Sequence, residues 1–143
     1  MTIARILDSK GGDVVTVAAT ATVQRVVELL HQHRIGAVLV VGDDSRIAGV
    51  VSERDIIRCL HERGATILDS TAADLMSSPV VSVALHDSTL AALALMTERR
   101  IRHLPVLDGE RVAGIVSIGD LVKRRIDDIE AEAGALKDYI AMA

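Results

Sequence analysis

Apolar and polar positions follow one order along this chain, and the order occurs twice. The first pass opens on the β-branched run Val14-Val15-Thr16-Val17, which predicts a short strand. Thr22 then stands as an N-cap before Val23, Val26, Val27 and Leu30, whose spacing predicts a helix with one apolar face. The run Gly36 to Val41, GAVLVV, predicts a buried strand, Gly42-Asp43-Asp44-Ser45 a turn, and Arg46 to Val51, RIAGVV, the returning strand. Ser52-Glu53-Arg54-Asp55 opens a second helix.

The second pass repeats each step. Val80-Val81-Ser82-Val83 is its first strand, and a helix starts at Ser88 and carries Ala92, Leu93 and Met96. Leu104 to Val116, LPVLDGERVAGIV, is the hairpin, with Asp108-Gly109 at its turn, and Ser117-Ile118-Gly119-Asp120 opens the last helix. Val14 returns as Val80 and Arg34-Ile35 as Arg100-Ile101, both at an offset of 66, whereas Arg46-Ile47-Ala48-Gly49 returns as Arg111-Val112-Ala113-Gly114 at 65. Such self-similarity fixes the architecture before any single residue is interpreted. Residues 62–75 are a connector too short to separate independent domains, and neither repeat has the apolar surface for a stable core alone. The two halves are therefore expected to pack together with a shared core. Beyond them, Val122, Ile126, Ile129, Ala133, Leu136 and Ile140 keep a heptad-like spacing. That stripe has two readings: a terminal helix folded back on its own domain, or a dimer contact.

Composition narrows the ligands. Half of the 143 residues are hydrophobic, yet the only aromatic is Tyr139, so a planar ligand must lie between aliphatic side chains and backbone. A formal net charge of −4 argues against a phosphate-backbone binder, which needs a dense basic face, and no nucleic-acid partner is expected. The single cysteine, Cys59, excludes an intramolecular disulfide and suits a reducing compartment. The start of the chain lacks the apolar core of a signal peptide, and the run AVLVV is far too short to span a bilayer. A cytoplasmic protein without a membrane partner is the expectation.

The motif S-x-x-D, present at Ser52–Asp55 and Ser117–Asp120, has the spacing of a capping box. A duplicated chain duplicates its caps, so recurrence alone does not make a site. A helix start directly after a core strand, however, presents free N–H groups and the positive end of the dipole. An Asp there suits the vicinal diol of a ribose. Catalytic alternatives are weaker. His31 and His33 are two apart and point to different sides of a helix, Glu28 with His31 lacks a second such motif, and Cys59 with His61 has the same spacing problem. No nucleophile has a convincing base, so the chain is read as non-enzymatic, with no metal site.

The duplicated strand-helix-strand-strand-helix unit with G-h-h-S-x-x-D in both halves (h apolar), and Arg102-His103-Leu104-Pro105-Val106 in the second, resembles a tandem pair of CBS domains, named after cystathionine β-synthase. The resemblance implies a mixed α/β (α+β) pseudo-twofold pair: small sheets flanked by helices, repeats at 6–62 and 73–126, and an extended C-terminal helix at 127–143. It implies an adenine-nucleotide sensor for AMP, ADP or ATP, or a dinucleotide such as NAD(H). Asp55 and Asp120 would hold ribose hydroxyls, and Ser52 and Ser117 would touch ribose or phosphate. Backbone around Val14 and around Pro79-Val80 would hold adenine, and Arg102 and His103, in the segment that includes Pro105, would meet phosphates. Arg54, where the second repeat has Gly119, makes the two sites unequal, and Lys10 is a further phosphate candidate. A homodimer and an unknown protein target acting in trans complete the expectation. The rival is a ligand-independent interaction scaffold in which both motifs only cap helices.

Overall fold

The computed structural model describes residues 1–143. Each half folds as the pattern predicts. In the first, β1 (Thr16–Ala18) leads to α2 (Val23–His33), β2 (Ala37–Val41), β3 (Ile47–Ser52) and α3 (Glu53–Arg63). In the second, β4 (Val83–Ala84), α5 (Thr89–Arg99), β5 (His103–Asp108), β6 (Arg111–Ser117) and α6 (Ile118–Met142) follow in the same order. Each half builds one three-stranded sheet, β1-β2-β3 and β4-β5-β6, with the first pair parallel and the second antiparallel. The predicted caps are in place: Thr22 Oγ1 accepts from the Arg25 amide and Ser88 Oγ from the Ala91 amide. The first strand of each half is shorter than its β-branched run, beginning at Thr16 and Val83.

The halves do not share a core, contrary to the expectation. Twelve buried residues form one cluster, from Val17 to Leu75, and ten form another, from Ile3 to Leu121. An exchange of short helices joins them. An N-terminal helix that the pattern did not predict, α1 (Ile3–Lys10), precedes the first repeat yet buries Ile3, Ile6 and Leu7 in the core of the second. The supposed connector is likewise structured: a 3-10 turn (Ala65–Asp69) and α4 (Ala72–Leu75) precede the second repeat and bury Ile67, Ala72 and Leu75 in the core of the first. Burying each of the Ile and Leu side chains among them contributes roughly 1.5–3 kcal/mol. The joins match: Thr2 bridges Ser88, and Thr71 bridges Thr22.

The glycine of G-h-h-S-x-x-D belongs to this exchange. A Cβ at Gly49 would lie 2.6–2.8 Å from Met76, just past α4, and one at Gly114 would lie 2.8 Å from Leu7 of α1. Only a bare Cα lets the exchanged segment lie across the strand.

The last element is one continuous helix of 25 residues, so residues 127–143 extend α6 without a break. Leu121 anchors its first turns in the second core, and every side chain from Ile129 onward is exposed. The helix does not fold back on its own domain. No helix is long and apolar enough to cross a membrane.

Candidate functional site

Both S-x-x-D motifs form complete capping boxes where a sheet strand turns into a helix. In the first, the Asp55 amide donates to Ser52 Oγ at 3.2 Å, while Asp55 Oδ2 accepts from the Ser52 amide and hydroxyl, both at 2.9 Å. Arg58 Nη2 reaches Asp55 Oδ1 at 3.2 Å. In the second, the Asp120 amide donates to Ser117 Oγ at 3.2 Å and Asp120 Oδ2 accepts from the Ser117 amide at 2.8 Å. Here Lys10 completes the set: its Nζ lies 2.6 Å from Asp120 Oδ2 and 2.9 Å from the Ile115 carbonyl. Burial would raise the Asp120 carboxyl, but the hydrogen bonds from Lys10 and the Ser117 amide outweigh it and hold the group below the usual carboxylate range.

Each box opens into a cleft that draws on both halves. The first cleft, about 290 Å³, joins Ser52, Arg54, Asp55 and Arg58 of the first repeat to Pro79, Val80 and Val81 before β4 and to Arg99–Arg102 before β5. The second, about 730 Å³, joins Ser117 and Asp120 of the second repeat to Lys10, Asp13 and Val15 before β1 and to His31 and Arg34 at the end of α2. Glu53, Arg102 and His103 line both and form their common wall. That wall depends on Gly36, where a Cβ would fall 2.9 Å from the His103 ring. Burial pushes the His103 imidazole below its ordinary value; Glu53 opposes this, Arg102 and Lys10 reinforce it, and Asp120 opposes it again. At neutral pH His103 is uncharged, a hydrogen-bonding group in the wall.

Two arginines carry a backbone signature. Arg34 and Arg100 are the C-caps of α2 and α5, with φ of 53° and 55°, in the left-handed region. Glycine is the usual residue at such a helix end, and a side chain there costs about 1 kcal/mol. Both repeats nevertheless carry Arg at this position, and each Arg lines one cleft, Arg100 the first and Arg34 the second. Strain kept at equivalent places of two sites is the pattern of a functional side chain.

Of the residues expected from sequence, Ser52, Arg54, Asp55, Pro79 and Val80 meet in the first cleft, Lys10, Ser117 and Asp120 in the second, and Arg102 and His103 in both. Two do not line either. Val14 lies between the lining residues Asp13 and Val15 without joining them, and Pro105, paired with Ile115, is buried on the sheet face opposite the one by which Leu104 and Val106 enter the second core. Lys10, a phosphate candidate in the sequence, forms an ion pair with Asp120 in the second cleft. Residues that sequence reading passed over are Arg58, Arg99, Arg100 and Arg34. The run Glu98-Arg99-Arg100-Ile101-Arg102, basic within an acidic chain, was the available signal.

Comparison with known proteins bears on this arrangement. The model of the CBS domain matches residues 6–62 and 72–127. A CBS domain-containing mitochondrial protein of Arabidopsis thaliana is 33% identical over 97% of this chain and 71% of its own. The crystal structure of a CBS-domain containing protein from Agrobacterium tumefaciens superposes with a TM-score of 0.84 at 38% identity, covering 87% of this chain and 92% of that one. A CBS domain protein from Pyrobaculum aerophilum, solved in complex with AMP, has a TM-score of 0.75 at 30% identity, over 84% of this chain and 89% of that one.

Proposed function

The chain belongs to the CBS-domain family as a tandem pair of repeats, and from that premise we propose that it is a non-enzymatic regulatory module that binds an adenine nucleotide, AMP, ADP or ATP, in its two clefts. The observation that carries the reading is the pairing, in each cleft, of a capping-box aspartate from one half with an otherwise costly left-handed arginine from the other. The helix start and its Asp suit ribose hydroxyls, and the guanidinium suits phosphate. The Pyrobaculum relative in complex with AMP supports the choice of ligand class.

Five arginines, Arg54, Arg58, Arg99, Arg100 and Arg102, line the first cleft, which favours a nucleotide with more than one phosphate there. The second is roomier and holds Asp120 already neutralised by Lys10, so the sites differ in preference. Their common wall of Glu53, Arg102 and His103 is also what a dinucleotide such as NAD(H), with one half in each cleft, would bridge.

Because each cleft is built from both halves, a bound nucleotide favours the relative orientation in which both sets of contacts are made. The shift is limited to the difference in affinity between the two orientations. Two copies associate through a face that includes the exposed Ile57 and Leu60 of α3, and the dimer acts in trans on a protein target in the cytoplasm.

A thermal-shift titration tests the reading against a ligand-independent scaffold. With AMP, ADP, ATP or NAD in hundredfold excess over its Kd, the native state should gain about 2.7 kcal/mol and the melting temperature should rise with concentration. Asp55→Ala and Asp120→Ala should each weaken that rise. If they lower only the unliganded melting temperature, by the loss of a capping-box carboxylate worth about 0.3–1 kcal/mol at the helix start, and leave the nucleotide response intact, the motifs are caps and the sensor reading fails.

A further inference from the structure

The exposed stripe of α6 has a second copy of itself as its partner. Val122, Ile126, Ile129, Leu136 and Ile140 are between 44% and 64% exposed, and Ala133 completes the row. They repeat at spacings of four and three, so Ile126, Ala133 and Ile140 take the a positions of a heptad and Val122, Ile129 and Leu136 the d positions. The stripe lies to one side of the face that Leu121 buries in the core.

The flanking charges choose the partner and its direction. The g positions are Arg125, Glu132 and Tyr139, and the e positions are Lys123, Glu130 and Lys137. In a parallel pair, each g residue faces the e residue five places later on the other helix. Arg125 then meets Glu130 and Glu132 meets Lys137, so every charged g–e contact is between opposite signs, twice over by symmetry. In an antiparallel pair that keeps all the apolar layers, Lys123 meets Lys137, Glu130 meets Glu130 and Glu132 meets Glu132, all of like sign. None of these five charged side chains makes an ion pair within its own chain; the one bridge along this helix, Arg124–Asp128, lies off the seam.

We infer that α6, from Val122 to Ile140, pairs with the same segment of a second copy as a parallel, in-register two-stranded coiled coil. The proposed pairing of the bodies sets the number of strands at two, because only Leu136 of the three d residues is the leucine that selects two strands by itself. Gly134 takes a b position, away from the seam, where it lowers helix propensity without opening the interface. A coil of two and a half heptads is marginal by itself. This inference rests on the proposed association of the bodies, which raises the effective concentration of the two helices for each other. Paired in this way, the helices report the orientation of two bodies held at the same end of the coil.

Cysteine cross-linking of the full chain tests it. Under mild oxidation, Leu136→Cys should give a covalent dimer at least tenfold faster than the wild type, whose only thiol, Cys59, is buried. Glu132→Lys in that background should slow the reaction, and the added Lys137→Glu should restore it. Absence of the Leu136→Cys dimer, or preferential cross-linking between Ile126→Cys and Leu136→Cys chains when mixed, overturns the parallel pairing. Sedimentation of Ile129→Asp/Leu136→Asp separates this result from the body contact. A dimer that persists in that variant while Leu136→Cys fails to cross-link leaves the body contact standing and removes the coil. A monomer, with Leu136→Cys cross-linking, keeps the coil and shows that the body contact does not hold two copies together without it.

Discussion

The wall between the clefts turns on one residue, His103. Its imidazole sits against Gly36, faces both clefts and has its pKa lowered by burial, with Glu53, Arg102, Lys10 and Asp120 as the charges around it. A histidine that is harder to protonate when folded takes up fewer protons than the unfolded chain in the window just below the ordinary value of about 6.5. Its contribution to stability is therefore complete above that pH and lost as pH falls through the folded pKa. Denaturant unfolding at a series of pH values should show stability falling below about pH 6.5, and His103→Gln should flatten that slope. A slope unchanged in the variant would assign the effect elsewhere. Sequence placed His103 at the site through its neighbourhood with Arg102. Its role as a shared wall depends on Gly36, sixty-seven positions away, a contact that no local pattern contains.

At the scale of elements, the exchanged helices set the geometry of both clefts, because α1 delivers Lys10 to Asp120 and the segment after α4 leads Pro79 and Val80 toward Asp55. The two crossings differ in tolerance. At Gly49 a new Cβ would meet the Met76 Cβ, which is fixed to its backbone, whereas at Gly114 it would meet a terminal methyl of Leu7, which can rotate away. Gly49→Ala should lower stability by about 1–3 kcal/mol, the usual range for overpacking, and Gly114→Ala by less. Equal losses in chemical denaturation would mean that the crossings are equivalent. The helices α2, α3, α5 and α6 and the hairpin strands β2, β3, β5 and β6 were legible because their apolar periodicity is their own. The exchange was not, since α1 carries three buried residues in eight and the segment at 65–75 a similar few, too little to say which half they would cover.

For the whole molecule, duplication was readable from the two S-x-x-D phrases, and the structure adds what makes the copies unequal. Asp55 is tied to Arg58 within its own helix, and Asp120 is tied to a lysine from the far end of the chain. Each cleft closes only when both halves are in place, which is why the aspartates could be found in the sequence while their arginine counterparts, Arg34 and Arg100, were overlooked. These arginines also give the central claim its sharpest test, because their left-handed backbone serves no packing purpose that glycine would not serve better. Isothermal titration of AMP or ATP into wild type and Arg100→Gly, with melting temperatures measured alongside, sets function against structure. A nucleotide sensor should bind at least tenfold more weakly in the variant while melting at the same or a higher temperature, since glycine relieves about 1 kcal/mol of backbone strain. Unchanged affinity in Arg100→Gly, or no binding of either nucleotide to the wild type, would contradict it.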